Sequence, residues 1–207
     1  MINKTSLSLF EYWNNVRGDR IAPNRFEIEP SNISGLLPET ILLERRDSRN
    51  FSFRLAGTTI CEQFGTELRG KNFLDGFSDI DQSLLEDDFA AISLRGGVGL
   101  IHIDAMGRSG KAIRFEVVIM PLTHTRGTLN RCLGSISALS LPDWVGEEAL
   151  HQKVLLRHEI IWPDGKPRSR TTDMHRQAPF LPHVRNARIV RQDRRQFRVY
   201  DGGLADK

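Results

Sequence analysis

The sequence predicts an α+β domain: a five-stranded antiparallel sheet with helices on one face, an N-terminal flanking helix and a basic C-terminal extension. Three observations predict it. Two runs that alternate apolar and polar residues precede a stretch of about 40 residues with helical spacing, and three more alternating runs follow. Glycine, proline and Asp/Asn clusters punctuate the joins. With 39% hydrophobic and 27% charged residues in 207, the chain has an ordinary globular composition and can bury a core without disulfide staples.

Residues 1–29 read as an amphipathic helix and its connector. Ser8 and Glu11 fit a capping box. Leu9, Phe10, Trp13 and Val16 follow at helical spacing, and Gly18 ends the run. These four apolar side chains are candidates either for packing on the chain's own core or for a homodimer contact. Pro23 and Pro30 break the connector, and residues 30–38 fit one helical turn. Residues 39–46 and 51–56 make a hairpin. In its second strand Phe51, Phe53 and Leu55 alternate with Ser52, Arg54 and Ala56, the period of a half-buried strand. Gly57 and two threonines cap a short helix at 60–64, Gly65 stops it, and residues 68–73 turn. Ser78 or Asp79 caps a longer helix at 80–95. Leu84, Leu85, Phe89, Ile92 and Leu94 form its apolar side, with Glu86, Asp87 and Asp88 solvated; Gly96-Gly97 terminates it. Strands at 98–105, 112–123 and 129–141 complete the sheet, so the domain is expected to span 30–141. In the extension, 142–207, residues 147–157 read as a helix, 166–177 as a basic loop, and 189–200 can alternate as a terminal strand.

Charge is unevenly spread. Residues 153–207 hold 13 Lys/Arg against 6 Asp/Glu, whereas residues 1–152 hold 16 against 20, an asymmetry that marks an interaction segment. Two cysteines, Cys61 and Cys132, make no disulfide framework and match no metal spacing, so the expectation is a cytoplasmic protein without a metal. No signal-peptide run and no stretch of about 18 apolar residues point to a membrane. No nucleophile turn with a Ser/His/Asp set, Gly-rich phosphate loop or HExxH is present, so no enzymatic activity is expected. His151 and His158, seven residues apart, read as a surface pair.

The segment at 51–73 carries a resemblance. Gly65, Gly70, Lys71 and Phe73 match the G-four residues-G-K-x-F turn of many PAS domains, and the strand order around them is similar. Flanking residues resemble one PAS-like family of short alphaproteobacterial proteins: Tyr12-Trp13, Arg17-Gly18, Pro23, Arg25, Pro30, Ile33, Leu36-Leu37-Pro38, residues 53–58, and the closing residues 199–203. The resemblance implies a stand-alone sensory or adaptor module in bacterial signal transduction, acting through a protein partner. It also implies a cavity between the sheet and the helical segment. Phe53, Leu55, Phe64, Phe73, Phe89, Ile101, Ile103, Phe115 and Val117 are the candidates to line it, around an unidentified small molecule or around nothing but one another. Haem and flavin are not expected. His102 alternates away from Ile101 and Ile103, and neither cysteine sits in the Asn-Cys-Arg-Phe context of light-sensing relatives.

A second reading rests on the tail. Residues 166–198 hold ten Lys/Arg and two Asp, enough to neutralise several phosphates. Arg188, Arg191, Arg194, Arg195 and Arg198 are the candidates for a nucleic acid or other anionic partner. Residues 191–195 contain the RxxxR of cyclic-di-GMP binders of the PilZ type, but the companion Asp/Asn-x-Ser-x-x-Gly is missing. The bland alternative is a solvated basic extension.

Overall fold

Alternating apolar residues in five runs, and in a sixth that its composition disguises, build one open antiparallel sheet. The structure, a computed structural model, describes residues 1–124 and 129–167. Strands β1 (Thr40–Arg45), β2 (Phe51–Ala56), β3 (Val98–Met106), β4 (Ala112–Leu122), β5 (Arg131–Ala138) and β6 (Gln152–Ile161) lie in the order β2-β1-β5-β4-β3-β6. Every neighbouring pair is antiparallel.

The sheet therefore has six strands, not five, and does not close at Leu141. Residues 147–157 are rich in helix formers, which is why they read as a helix. Pairing with β3 overrides that propensity: β6 runs beside β3 from Val98↔Ile161 to Met106↔Gln152. Without it, β3 would be an unpaired edge.

On the inner face, Ile41, Leu43, Phe51, Phe53, Ile101, Ile103, Phe115, Val117 and Ile136 join one buried core with α2 (Thr58–Gln63) and α3 (Asp79–Arg95). Ser78 caps α3 by accepting from the Asp81 N–H at 3.1 Å. The apolar side of α3 is narrower than expected: Leu85, Phe89 and Ile92 are buried, while Leu84 and Leu94 are exposed. Asp88 is not solvated but buried, because His158 of β6 reaches it at 2.8 Å.

The outer face is covered as well. Helix α1 (Lys4–Arg17) and a 3-10 run, Pro30–Glu39, lay Leu9, Trp13 and Ile33 against Val98, Leu100, Val118, Met120 and Leu133. Helices thus occupy both faces, and β4 is apolar on both sides, as a doubly covered strand must be. Leu9 and Trp13 are fully buried, and the Trp13 indole N–H donates to the Pro121 carbonyl at 2.8 Å. These two residues offer no dimer surface, while Phe10 and Val16 pack half-buried on the same layer. The helix also starts one turn earlier than its S-x-x-E pattern suggests. Asn3 is the cap, accepting from the Thr5 N–H at 2.7 Å.

Glu116 on the outer face of β4 fixes that start. It accepts the N–H groups of Ile2 and Asn3 at 2.7 and 3.0 Å. Burial works to raise its pKa, yet those bonds, with help from Ser6 and the chain's amino group, hold it below the usual carboxylate value. At the other end, buried Arg17 stacks 5.5 Å from the Trp13 ring centroid and forks onto Asp164 at 3.0 and 3.3 Å.

One predicted inward residue faces out. Pairing passes from Leu43↔Phe53 to Leu42↔Leu55, a bulge that skips Arg54. A one-residue slip flips all that follows, so Leu55 shares the side of Leu42 and is 43% exposed.

A chain ended at Leu141 is expected to lose its cooperative unfolding transition, and one ended at Pro167 to keep it. Urea titration followed by circular dichroism reads the difference, and a cooperative transition in the shorter chain would contradict a structural role for β6. Trp13→Ala is expected to cost about 3–5 kcal/mol of stability, as for other buried aromatics, whatever the oligomeric state. A loss of dimer mass with unchanged stability would show that the ring instead faces a partner.

Candidate functional site

The glycine-punctuated turn after α2 is laid along the free edge of β2. The Phe53 N–H donates to the Lys71 carbonyl at 3.0 Å, the Gly70 N–H to Phe53 at 2.8 Å and the Phe73 N–H to Phe51 at 2.9 Å. Asn72 completes the seam. Its side-chain carbonyl accepts from the Phe51 N–H at 2.9 Å, and its amide donates to the Arg49 carbonyl at 2.9 Å. Gly65 and Gly70 sit at φ +59° and +84°, where side chains rarely go, and a Cβ on Gly65 would also press on the Glu148 carbonyl. These glycines therefore shape the turn and admit the segment that approaches from beyond the fifth strand.

That segment, residues 148–155, is tied down at four points. The N–H of Leu150 donates to Phe64 at 2.9 Å, that of His151 to Met106 at 3.0 Å, that of Lys153 to Gly76 at 2.8 Å, and that of Leu155 to the Asp81 carboxylate at 3.3 Å. Between it, the turn and the sheet lies a cavity of about 200 Å³. Phe53, Phe64, Leu68, Phe73, Ile103, Ile136, Ala149 and Leu150 give it apolar walls; Thr66, Lys71, Asn72, Asp75, His151 and Lys153 are its polar ones.

Of the nine lining candidates, Phe53, Phe64, Phe73 and Ile103 border this space. Phe89, Ile101, Phe115 and Val117 are buried in the same core without reaching it. Phe89 stacks on Phe51 with centroids 3.7 Å apart, and Phe115 on Phe64 at 5.0 Å, so large rings fill much of what the alternation pattern leaves open. Leu55 lies outside for the reason given by the bulge. Sequence reasoning missed the polar lining and everything contributed by β6. The one available signal was the apolar Val154-Leu155-Leu156 beside Lys153, masked by its helix-forming neighbours.

Lys153 is the unusual group. Its ammonium donates to the Phe73 carbonyl at 2.6 Å and lies 4.7 and 5.3 Å from the ring centroids of Phe77 and Phe73. Burial pushes its pKa from 10.5 down to about 7, against the pull of the Asp75 carboxylate. Lys71 instead turns to the Thr66 hydroxyl at 2.7 Å. His151 and His158 are both exposed, and His158 lies 2.8 Å from the Asp88 carboxylate. His102 lies on the outer face, 3.3 Å from Glu116. Cys132 is buried on β5 with its thiol pushed up to about 12, whereas Cys61 is half-buried beside Glu67 at 3.6 Å. Among the described residues no His/Cys/Asp/Glu group suits a metal ion, and no helix is long and apolar enough to cross a membrane. The five tail arginines, from Arg188 to Arg198, and the 189–200 strand lie outside the described residues.

An open antiparallel sheet, with a short helix, a glycine turn and a longer helix laid over a small cavity, defines an α+β module of the sensory class. The chain belongs to the PAS domain family, whose model matches residues 1–137. Membership makes it a sensory or signalling module. The match ends before β6, so Lys153 comes from outside the shared part. The PAS domain of an HTR-like protein from Haloarcula marismortui is 15% identical, with 56% of this chain and 95% of that one covered and a TM-score of 0.39. VqmA bound to DPO is 13% identical, covering 54% of this chain and 58% of that one, with a TM-score of 0.37. The Vibrio cholerae VqmA dimer without target DNA is also 13% identical, covering 55% and 53%, again at 0.37. The chain thus spans little more than half the length of the VqmA structures, and likeness at this level carries no functional weight. No curated protein matches the chain.

The lysine gives a pH signature. The unfolded chain keeps the Lys153 proton up to about 10.5, while the folded chain releases it above about 7. The unfolded state binds more protons in that window, so the penalty is full below pH 7 and fades as pH rises. Measured against Lys153→Met by urea denaturation, wild-type stability should gain up to about 1.4 kcal/mol per pH unit across the window. Parallel pH curves for the two proteins would place the ammonium in solvent.

Proposed function

We propose that the chain is a cytoplasmic PAS sensory module that binds a small molecule in the cavity beside Lys153 and signals through contact with a protein partner. The observation that carries this reading is the cavity itself. It combines apolar walls with a few convergent polar groups, which is the composition of small-molecule sites. No catalytic constellation accompanies it among the described residues, and binding without turnover is the role proposed. The partner surface is not the outer sheet face, which α1 and the 3-10 run already cover. Self-association remains part of the proposal only through surfaces other than Leu9 and Trp13.

Native mass spectrometry of the protein purified from its own source is expected to show a bound mass of benzene-to-benzoate size that denaturation releases. Bare polypeptide, together with failure of any small aromatic probe to bind, would remove the sensing reading. The second reading, a nucleic acid or nucleotide regulator, is favoured by the ten Lys/Arg against two Asp at 166–198. Its mark would be affinity for DNA or RNA that falls steeply with salt and disappears when residues 168–207 are removed.

A further inference from the structure

The cavity is bordered on one side by a cation that no acid contacts directly among the described residues, although the Asp75 carboxylate acts on it from a distance. Lys153 uses one of its three N–H donors on the Phe73 carbonyl. Two phenylalanine rings flank the ammonium, and it forms no ion pair among the described residues. The single acid on the lining, Asp75, accepts the Asn72 N–H at 3.2 Å instead. The other titratable groups facing the space are Lys71, which donates to Thr66, and His151, whose ring lies 3.2 Å from the Ala149 carbonyl. Lys153 is half-buried, and an ammonium held against two rings and one carbonyl is costly unless an anion meets it.

The rest of the cavity sets the size and body of that anion. Its volume of about 200 Å³ exceeds the roughly 150 Å³ known to hold benzene, and Phe53, Phe64, Ile103 and Ile136 supply apolar walls from three strands and the turn. A single carboxylate fits the two remaining donors of the Lys153 ammonium; Lys71, the other lysine on the lining, is already turned to Thr66, and Asp75 repels a phosphate dianion. We propose that the cavity binds a small monocarboxylate with a compact aromatic or branched apolar body, its carboxylate on the Lys153 ammonium. The proposal rests on the sensory reading and assigns the ligand class to it. It also assigns β6, which lies outside the family match, the task of setting specificity.

Sodium benzoate and its neutral analogue benzyl alcohol test it, by isothermal titration calorimetry on the full chain at pH 6.5. Saturable one-to-one benzoate binding is expected, weaker by tenfold or more in Lys153→Met, with benzyl alcohol changed less than threefold. If the variant fails to fold, the wild-type pH series decides. Benzoate affinity should fall at least tenfold between pH 6 and 9.5, as the ammonium loses its proton, while benzyl alcohol affinity stays level; His151→Gln should keep that fall. Benzyl alcohol binding without benzoate binding, or benzoate binding indifferent to both the variant and pH, overturns carboxylate recognition but leaves the receptor reading. Binding of neither probe overturns both.

Discussion

The antiparallel pairing of β6 with β3 is the constraint on which core and cavity both depend. β3 is buried on both faces, so its backbone groups need a partner on each side; β4 supplies one and β6 the other. The same strand then does three further things along its length. Its lead-in closes the cavity at Leu150 and His151, Lys153 supplies the cation, and His158 reaches Asp88 on α3. The turn after it offers Asp164 to Arg17 of α1. One strand and the residues on either side of it therefore touch α3, the outer helix and the site.

Much of this was legible in the sequence wherever one local rule acted alone. The strands at 51–56 and 98–106, the cap at Ser78, the glycine stop at Gly96 and the turn at 65–73 follow from alternation, capping and positive-φ geometry. The misses fall where a distant contact outvotes the local pattern. A bulge moved Leu55 to the opposite face. A histidine seventy residues away drew Asp88 out of an acidic run that otherwise reads as solvated. Helix formers at 147–157 yielded to an unfilled sheet edge. Such overrides are expected of long-range pairing, which local propensity cannot register.

The outer helix shows the same lesson from the other side. The run F-E-V-V-I-M-P-L in β4 is nearly continuous in apolar residues, and that is the pattern of a strand covered on both faces. Read together with the stripe of Leu9 and Trp13, it already required a second layer. Glu116 interrupts the run and is fully buried, because it meets the N–H groups that begin α1 rather than water. A buried carboxylate is tolerated where it satisfies a helix start. The polar interruption is thus the mark of how the helix is anchored.

Lys153 is a different kind of exception. Glu116 is satisfied by the fold, whereas Lys153 is sheltered by it and left with donors unspent. Residues that break a local rule without a compensating partner concentrate where function demands them. A strand bonded along one edge to β3 and, near its start, to Gly76 and Asp81 on the other can hold a desolvated amine that a free loop would turn outward. The rigidity of β6 and the cost of its lysine belong together: the pairing that stabilises the sheet is what keeps the ammonium in the cavity.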